Sequence, residues 1–140
     1  FTRAILSGKK IQVYNYGKHR RDFTYIDDIV EGVVRVLDKP AASNPEWNGS
    51  HPDSGSSSAP WLVFNIGNNN PVDLMDYIEA LENALGKKAE KIFLPLQPGD
   101  VPDTYADVND LEEQFNYKPS TTVDEGIALF IRWYLEYYES

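Results

Sequence analysis

The sequence predicts a mixed α/β fold, of the α/β or α+β class, because extended and helical patterns alternate along its 140 residues. Short apolar runs bounded by turn residues predict strands, and longer stretches with apolar residues every three or four positions predict helices. The sequence contains no internal repeat and no sustained heptad, which excludes repeat and coiled-coil architectures. With 41% hydrophobic residues, the chain can bury the core of a single domain over residues 1–140.

The first forty residues are predicted to alternate helix, strand and helix. Residues 1–8 are typical of the last turns of a helix that ends at a glycine, so we expect the chain to start within an element. A strand is predicted over 11–15 and a second extended piece over 23–26. Asp27 or Asp28 then caps a helix whose apolar positions recur at i, i+4 and i+8.

The remaining residues are predicted to form a loop followed by further strands and helices. The segment at about 40–60 is rich in Pro, Ser, Asn and Gly and lacks periodicity, so we expect a flexible surface loop. The continuous apolar run 61–66 is typical of a buried parallel strand. The later predicted elements are a helix from 74 that Gly86 ends, a strand at 91–95, a short acidic helix at 109–115 and a final helix from about 122.

Composition and charge exclude several classes of protein. The chain has no cysteine, hence no disulfide or thiolate site, and no apolar run of the length that spans a membrane, so we expect a cytoplasmic protein. The net charge of −9 opposes broad binding to nucleic acid or anionic membranes. The first 21 residues nevertheless hold six basic residues and no acidic one, whereas the rest holds all 22 acids.

Two stretches of the sequence are candidates for one ligand site. Arg21 precedes a largely apolar run, where a guanidinium fork suits the oxygens of a diphosphate; an ordinary surface ion pair with Asp22 is the alternative. In the Gln-Pro-Gly-Asp stretch over 97–100, the glycine permits close approach of a ligand, and Asp100 is a short acceptor suited to a diol. A turn-stabilising role is the alternative for Asp100.

Four short motifs in order show a family resemblance. They are Ile-Gln-Val-Tyr-Asn-Tyr-Gly from residue 11, Arg-Asp-Phe-Thr-Tyr-Ile-Asp-Asp-Ile from residue 21, Phe-Asn-Ile-Gly-Asn from residue 64, and Gln-Pro-Gly-Asp-Val from residue 97 followed by Thr-Tyr-Ala-Asp. With these motifs the chain resembles the C-terminal, substrate-binding portion of NAD-dependent nucleotide-sugar epimerases of the extended short-chain dehydrogenase/reductase family. Among them it is most similar to UDP-glucuronate 4-epimerases.

The resemblance implies a role for each of five candidate substrate-binding residues. Arg21 would hold the diphosphate, and the strand at Gln12 and Tyr14 would lie against the uracil. Asp100 would hydrogen-bond the ribose hydroxyls or orient the phosphate side. Relatives that act on UDP-galactose carry Arg at the position of Gln97, so this difference favours the glucuronate type.

The resemblance also implies that this fragment is not a complete catalyst. No Gly-x-Gly-x-x-Gly loop occurs in the sequence, so NAD would be bound by a missing N-terminal domain, together with the catalytic residues. The complete enzyme would interconvert UDP-glucuronate and UDP-galacturonate through a 4-keto intermediate, and the fragment alone would be inactive. The enzyme would be a homodimer whose dimer helices lie outside this fragment. No metal is implied.

Other readings of the residues remain open or are rejected. Tyr14 and Lys18 have the Tyr-x-x-x-Lys spacing of the family's catalytic pair, but they span a predicted strand end and a glycine turn. His19 and His51 are expected to be alone in loops. The alternatives are UDP-glucose 4-epimerase, a nucleotide-sugar dehydratase or decarboxylase, a non-catalytic nucleotide-binding module, and an interaction domain that uses the aromatic C-terminal helix.

Overall fold

A computed structural model of the protein describes residues 1–138. Its elements, in chain order, are α1 (Thr2–Leu6), β1 (Ile11–Val13), β2 (Arg20–Arg21), α2 (Ile26–Leu37), β3 (Val72–Asp73), α3 (Leu74–Leu85), β4 (Lys91–Phe93), α4 (Asn109–Phe115) and α5 (Val123–Tyr138). The predicted mixture of helices and short strands is confirmed. Every helix within these residues is too short or too polar to cross a membrane.

The strands form two small two-stranded sheets. β1 pairs in parallel with β4, with Gln12 opposite Ile92, and β2 pairs antiparallel with β3, with Arg21 opposite Val72. After β1 the chain turns through a 3₁₀ segment at Tyr14–Gly17 before it enters β2. Both sheets therefore place residues of the predicted site on short, fixed strands.

The main core lies where α3 packs against α5, α1 and β1. α3 has its apolar stripe on one face, as the sequence predicts, and its C-terminal Gly86 adopts φ +62°. The buried apolar residues of this core are Ile5, Ile11, Val13, Ile78, Ala80, Leu81, Ile127 and Ile131. β1 thus holds the parallel strand pair against the core, because its first and last residues, Ile11 and Val13, are buried there.

α2 forms at the predicted place but differs from expectation at both its start and its surface. The helix begins at Ile26, with Tyr25 at the N-cap position, so the prediction that Asp27 or Asp28 caps it was wrong; both lie in the first turn. Their charges still suit the positive end of the helix dipole. The apolar stripe of α2 is largely exposed, and the helix buries only Gly32.

The apolar run 61–66 does not form the predicted buried parallel strand. Apart from an isolated bridge between Leu62 and Ser56, it makes no strand pairing within residues 1–138, and Trp61 and Val63 are about half exposed. A strand exists only when a neighbouring strand takes up its backbone N–H and C=O groups. Strand propensity alone therefore predicted a strand at 61–66 where the structure has none.

The segment at 40–60 is held by side-chain hydrogen bonds. Asn44 Nδ2 donates to Ser56 Oγ at 3.0 Å, and Ser56 Oγ in turn donates to the carboxylate of Asp53. The hydrogen bonds from Ser56 and from the backbone of Gly55 lower the pKa of Asp53. The flexibility of this loop remains a prediction.

Candidate functional site

The structure brings Arg21 and Asp100 together. Arg21 Nη2 donates to Asp100 Oδ1 at 3.1 Å, and Arg21 Nη1 donates to the backbone oxygen of Pro102 at 2.8 Å. The Arg21 side chain is 24% exposed and that of Asp100 is 32% exposed, so the pair is partly shielded but open to a ligand. The two candidate stretches, far apart in sequence, therefore meet in one place.

His19 belongs to the same cluster, although the sequence analysis expected it to be alone in a loop. Its side chain is 4% exposed, and its Nε2 lies 3.0 Å from Asp100 Oδ2. The angle between the two groups does not allow a hydrogen bond, so His19 Nε2 is buried next to the carboxylate without a hydrogen-bond partner among residues 1–138. Because successive side chains alternate in extended backbone, His19 and Arg21 face the same way, and this period of two was the signal that could have revealed the cluster.

The Gln97–Asp100 stretch forms a tight turn after β4. Asp100 N donates to Gln97 O at 3.1 Å, and Gly99 has φ +85°, a value that favours glycine. Pro98 precedes this glycine, as it commonly does in turns of type II. The turn leaves the Gln97 side chain exposed and directs the Asp100 side chain back toward β2.

Gln12 and Tyr14 form a second, separate pair at the end of β1. The Tyr14 hydroxyl donates to Gln12 Oε1 at 2.9 Å. Gln12 points away from the core residues on either side of it, because side chains alternate along a strand. Among the described residues, no hydrogen bond joins this pair to Arg21 or Asp100. The connection runs instead through β4, which pairs with β1 and leads into the 97–100 turn.

The neighbouring cations and the rejected catalytic pair lie outside this cluster. Arg20 Nε lies 3.5 Å from Asp73 Oδ1, and its Nη2 donates to the backbone oxygen of Pro71, so Arg20 is directed to β3.

Tyr14 begins the 3₁₀ segment and Lys18 follows it, with a kink at Asn15, so the two do not lie on successive turns of one α-helix. In the part of the chain that the structure covers, no group of three or more His, Asp or Glu side chains is arranged to hold a metal ion.

An apolar cavity of about 230 Å³ lies beside the start of α2. Phe23 stacks on Tyr77 at 4.1 Å between ring centroids, and α5 supplies Phe130 to the cavity wall. Burial raises the pKa of Tyr77. No charged side chain lines this cavity, so it does not suit a diphosphate, unlike the cluster at Arg21.

Fold, site and comparisons together define the class of protein. A mixed α/β chain carries a partly buried Arg–Asp pair that joins two segments distant in sequence. Residues 1–49 match the model of the NAD dependent epimerase/dehydratase family. This match covers 49 of the chain's 140 residues, and the fold of the chain matches a fragment of extended short-chain dehydrogenase/reductase epimerases.

Named relatives agree over almost the whole chain. Over 99% of its own residues, the chain is 56% identical to Protein CapI of Staphylococcus aureus. Over the same share of its residues, it is 42% identical to a probable UDP-glucuronate 4-epimerase of Rhizobium meliloti. The solved UDP-glucuronic acid 4-epimerase of Bacillus cereus, in complex with UDP-glucuronic acid and NAD, superposes with a TM-score of 0.76 at 27% identity over 98% of the chain.

All three relatives are considerably longer than this chain. The chain spans 42% of the length of the Staphylococcus protein, 41% of the Rhizobium protein and 38% of the Bacillus chain. What the complete proteins do is therefore carried over to this chain only as a proposal.

Proposed function

We propose that this chain is the C-terminal, UDP-sugar-binding portion of an NAD-dependent UDP-sugar 4-epimerase. We propose further that the complete protein interconverts UDP-glucuronate and UDP-galacturonate through a 4-keto intermediate. The identity to a probable UDP-glucuronate 4-epimerase supports this choice. The observation that carries the proposal is the contact between Arg21 and Asp100, which joins a cation for the diphosphate to an acceptor for the ribose diol.

Arg21 is suited to a diphosphate because its own contacts hold it without using all its donors. Its three hydrogen bonds go to the backbone oxygens of Arg20 and Pro102 and to Asp100. A guanidinium carries five N–H donors, so two are left for phosphate oxygens. Preorganisation of this kind lowers the entropy lost when a ligand binds.

Gln12 and Tyr14 would contact the uracil, and Asp100 and Gln97 would border the ribose and phosphate. The Gln12 amide can pair with the donor and acceptor edge of a uracil, and the hydrogen bond from Tyr14 fixes the orientation of that amide. The exposed Gln97 adds no positive charge next to the diphosphate. Arg21 would then carry most of the charge neutralisation by this chain.

This chain does not fit NAD. Its sequence has no Gly-rich dinucleotide loop, and the two described sheets have only two strands each. We therefore assign NAD binding and the hydride chemistry at C4 to a domain outside this chain, and derive no step through the cofactor. This chain's part is to hold the UDP group in place while the sugar reacts. We also propose that the complete enzyme is a cytoplasmic homodimer and that this chain alone is inactive.

Substitution of Arg21 tests the proposal. Arg21→Ala in the full-length protein removes a charge-assisted contact to the diphosphate that is worth about 1.5 to 3 kcal/mol. We expect UDP binding, measured by isothermal titration, to weaken roughly ten- to a hundredfold. Arg20→Ala is the matched control, because Arg20 has the same charge but contacts β3.

Two results would contradict the proposal. Equal UDP affinity in Arg21→Ala and wild type would remove Arg21 from the site.

A second experiment tests the reaction itself. The full-length protein is incubated with UDP-glucuronate and NAD, and nuclear magnetic resonance should detect UDP-galacturonate as the product. Any other product, or none, would assign the protein to a different activity within the family.

A further inference from the structure

The carboxylate of Asp22 accepts three backbone hydrogen bonds from two distant segments. Its Oδ2 accepts from Asn69 N at 3.1 Å and from Ala106 N at 3.0 Å, and its Oδ1 accepts from Asn70 N at 3.3 Å. Asn69 has φ +55°, so two successive N–H groups of this turn point toward one anion. Asp22 directly follows Arg21, which makes these contacts relevant to the site.

The backbone next to Asp22 runs alongside the segment that follows Asp100. Arg20 N donates to Pro102 O at 2.9 Å, and Thr104 N donates back to Arg20 O at 3.2 Å. Asp22 N donates to Thr104 Oγ1 at 3.1 Å. The bond from Ala106 to the Asp22 side chain is the last in this series, so residues 20–22 and 102–106 are held together along their length.

Close packing next to the carboxylate limits any shift of the loop toward Gly67. At Gly67 an added Cβ would lie 2.4 Å from Ala106 Cβ and 3.1 Å from Asp22 Oδ2. Only glycine at position 67 leaves space for the side chains of Ala106 and Asp22. The position of Ala106 is therefore set by Gly67 on one side and by Asp22 on the other.

We propose that Asp22 is a positioning residue for the UDP-sugar site: it fixes the 100–106 segment against β2, so that Arg21 and Asp100 meet the ligand as a preformed pair. The inference rests on the proposed function and deepens it. Asp22 itself directs its carboxylate to backbone N–H groups of residues 69, 70 and 106, whereas Arg21 directs its side chain to Asp100. Asp22 therefore acts on the loop, and Arg21 acts on the ligand.

The chain provides a matched control for this role. Asp28 is also half-buried, and its Oδ2 accepts from the backbone N–H groups of Ser120 at 3.2 Å and Thr121 at 2.9 Å. It therefore makes the same kind of bond, but it joins α2 to the start of α5. Loss of either carboxylate should destabilise the fold, whereas only loss of Asp22 should disturb the Arg21 site.

The experiment compares Asp22→Asn and Asp28→Asn in the full-length protein. Asn keeps the shape but replaces one acceptor oxygen by an NH₂ group that opposes the backbone N–H donors. We expect UDP affinity, measured by titration, to fall roughly tenfold in Asp22→Asn and to stay within about twofold in Asp28→Asn. In the epimerase assay, we expect Asp22→Asn to raise KM more than it lowers kcat, because the site loses binding of the UDP group rather than chemistry.

A milder variant keeps the test decisive if Asp22→Asn fails to fold. Thr104→Val removes the oxygen that accepts from Asp22 N at nearly constant volume, and we expect UDP affinity to fall about threefold. Equal UDP affinity in wild type and in the folded variants at 22 and 104 would overturn the positioning role while leaving the proposed function intact. Equal weakening in Asp22→Asn and Asp28→Asn would also overturn it, because a general loss of stability would then explain both. No UDP binding by the wild type would overturn the proposed function, and this inference with it.

Discussion

Glu82 shows how a single buried carboxylate can make stability depend on pH. Its side chain is 5% exposed on α3 and contacts Lys91 and Lys88, the latter at 2.8 Å. Burial opposes ionisation of Glu82, but hydrogen bonds from Lys88, Lys91 and the backbone of Ala89 outweigh it and lower the pKa from 4.5 to about 2. The network joins the end of α3 to β4.

We expect the free energy of unfolding to fall when the pH drops from about 4.5 to about 2. Because the folded pKa of Glu82 lies below its unfolded value, the native state binds fewer protons, and the contribution is fully present above pH 4.5. The contribution of Glu82 to the free energy of unfolding is about 1 to 3 kcal/mol. This range allows for screening by the solvent around the exposed Lys88. Urea unfolding across this pH range should show a smaller decrease in Glu82→Gln than in wild type. The exposed Glu79→Gln on the same helix is the control, and an identical pH dependence in Glu82→Gln would contradict the assignment.

At the residue scale, the sequence singled out Arg21 and Asp100 as candidates but did not predict which residues contact them. Arg21 and Asp100 could be chosen because each carries chemistry that a nucleotide sugar needs, and the structure joins them. His19 and Asp22 were not assigned to the site, because their contacts are to residues remote in sequence. Short motifs identify side-chain chemistry, but contacts across the fold depend on tertiary packing. The binding roles of all five candidate residues remain predictions.

At the element scale, periodicity predicted the helices because their hydrogen bonds are internal. The α4 bounds agree with the prediction, and α3 and α5 lie within one residue or so of theirs. Strands were less predictable, since the pairing of β1 with β4 is parallel and joins distant segments. The run 61–66 has strand propensity but no partner strand among the described residues, and so remained irregular.

The end of α3 provides a local test of backbone conformation. Gly86 has φ +62°, and an added Cβ would meet no atom within 4 Å, so Gly86→Ala changes conformational energy without a clash. We expect a loss of about 1 kcal/mol in the free energy of unfolding. Gly49→Ala is the control, because its Cβ would make only ordinary contacts and its φ is not positive. Equal loss in both variants, measured by urea unfolding, would show that the left-handed conformation at Gly86 is not the cause.

At the scale of the whole molecule, the largest anomaly is the exposed apolar face of α2. Five of its apolar residues are between 48% and 77% exposed, and they are Ile26, Val30, Val33, Val34 and Leu37. Their spacing places them on one side of the helix, opposite the buried Gly32. A helix with this pattern normally packs its apolar face against another element. The relatives have more than half of their length outside the region that this chain matches.

The exposed face predicts self-association when this chain is produced alone. Burial of apolar surface would drive contact between copies, so we expect the average mass in light scattering to rise with concentration. Val33→Lys places a charge at the centre of the stripe and should lower that mass toward the monomer. The exposed aromatic face of α5 offers a competing explanation, since Trp133 is 51% exposed and stacks on Tyr137. Trp133→Lys is therefore the matched variant: a fall in mass there, with none in Val33→Lys, would assign association to α5 and contradict the role of α2.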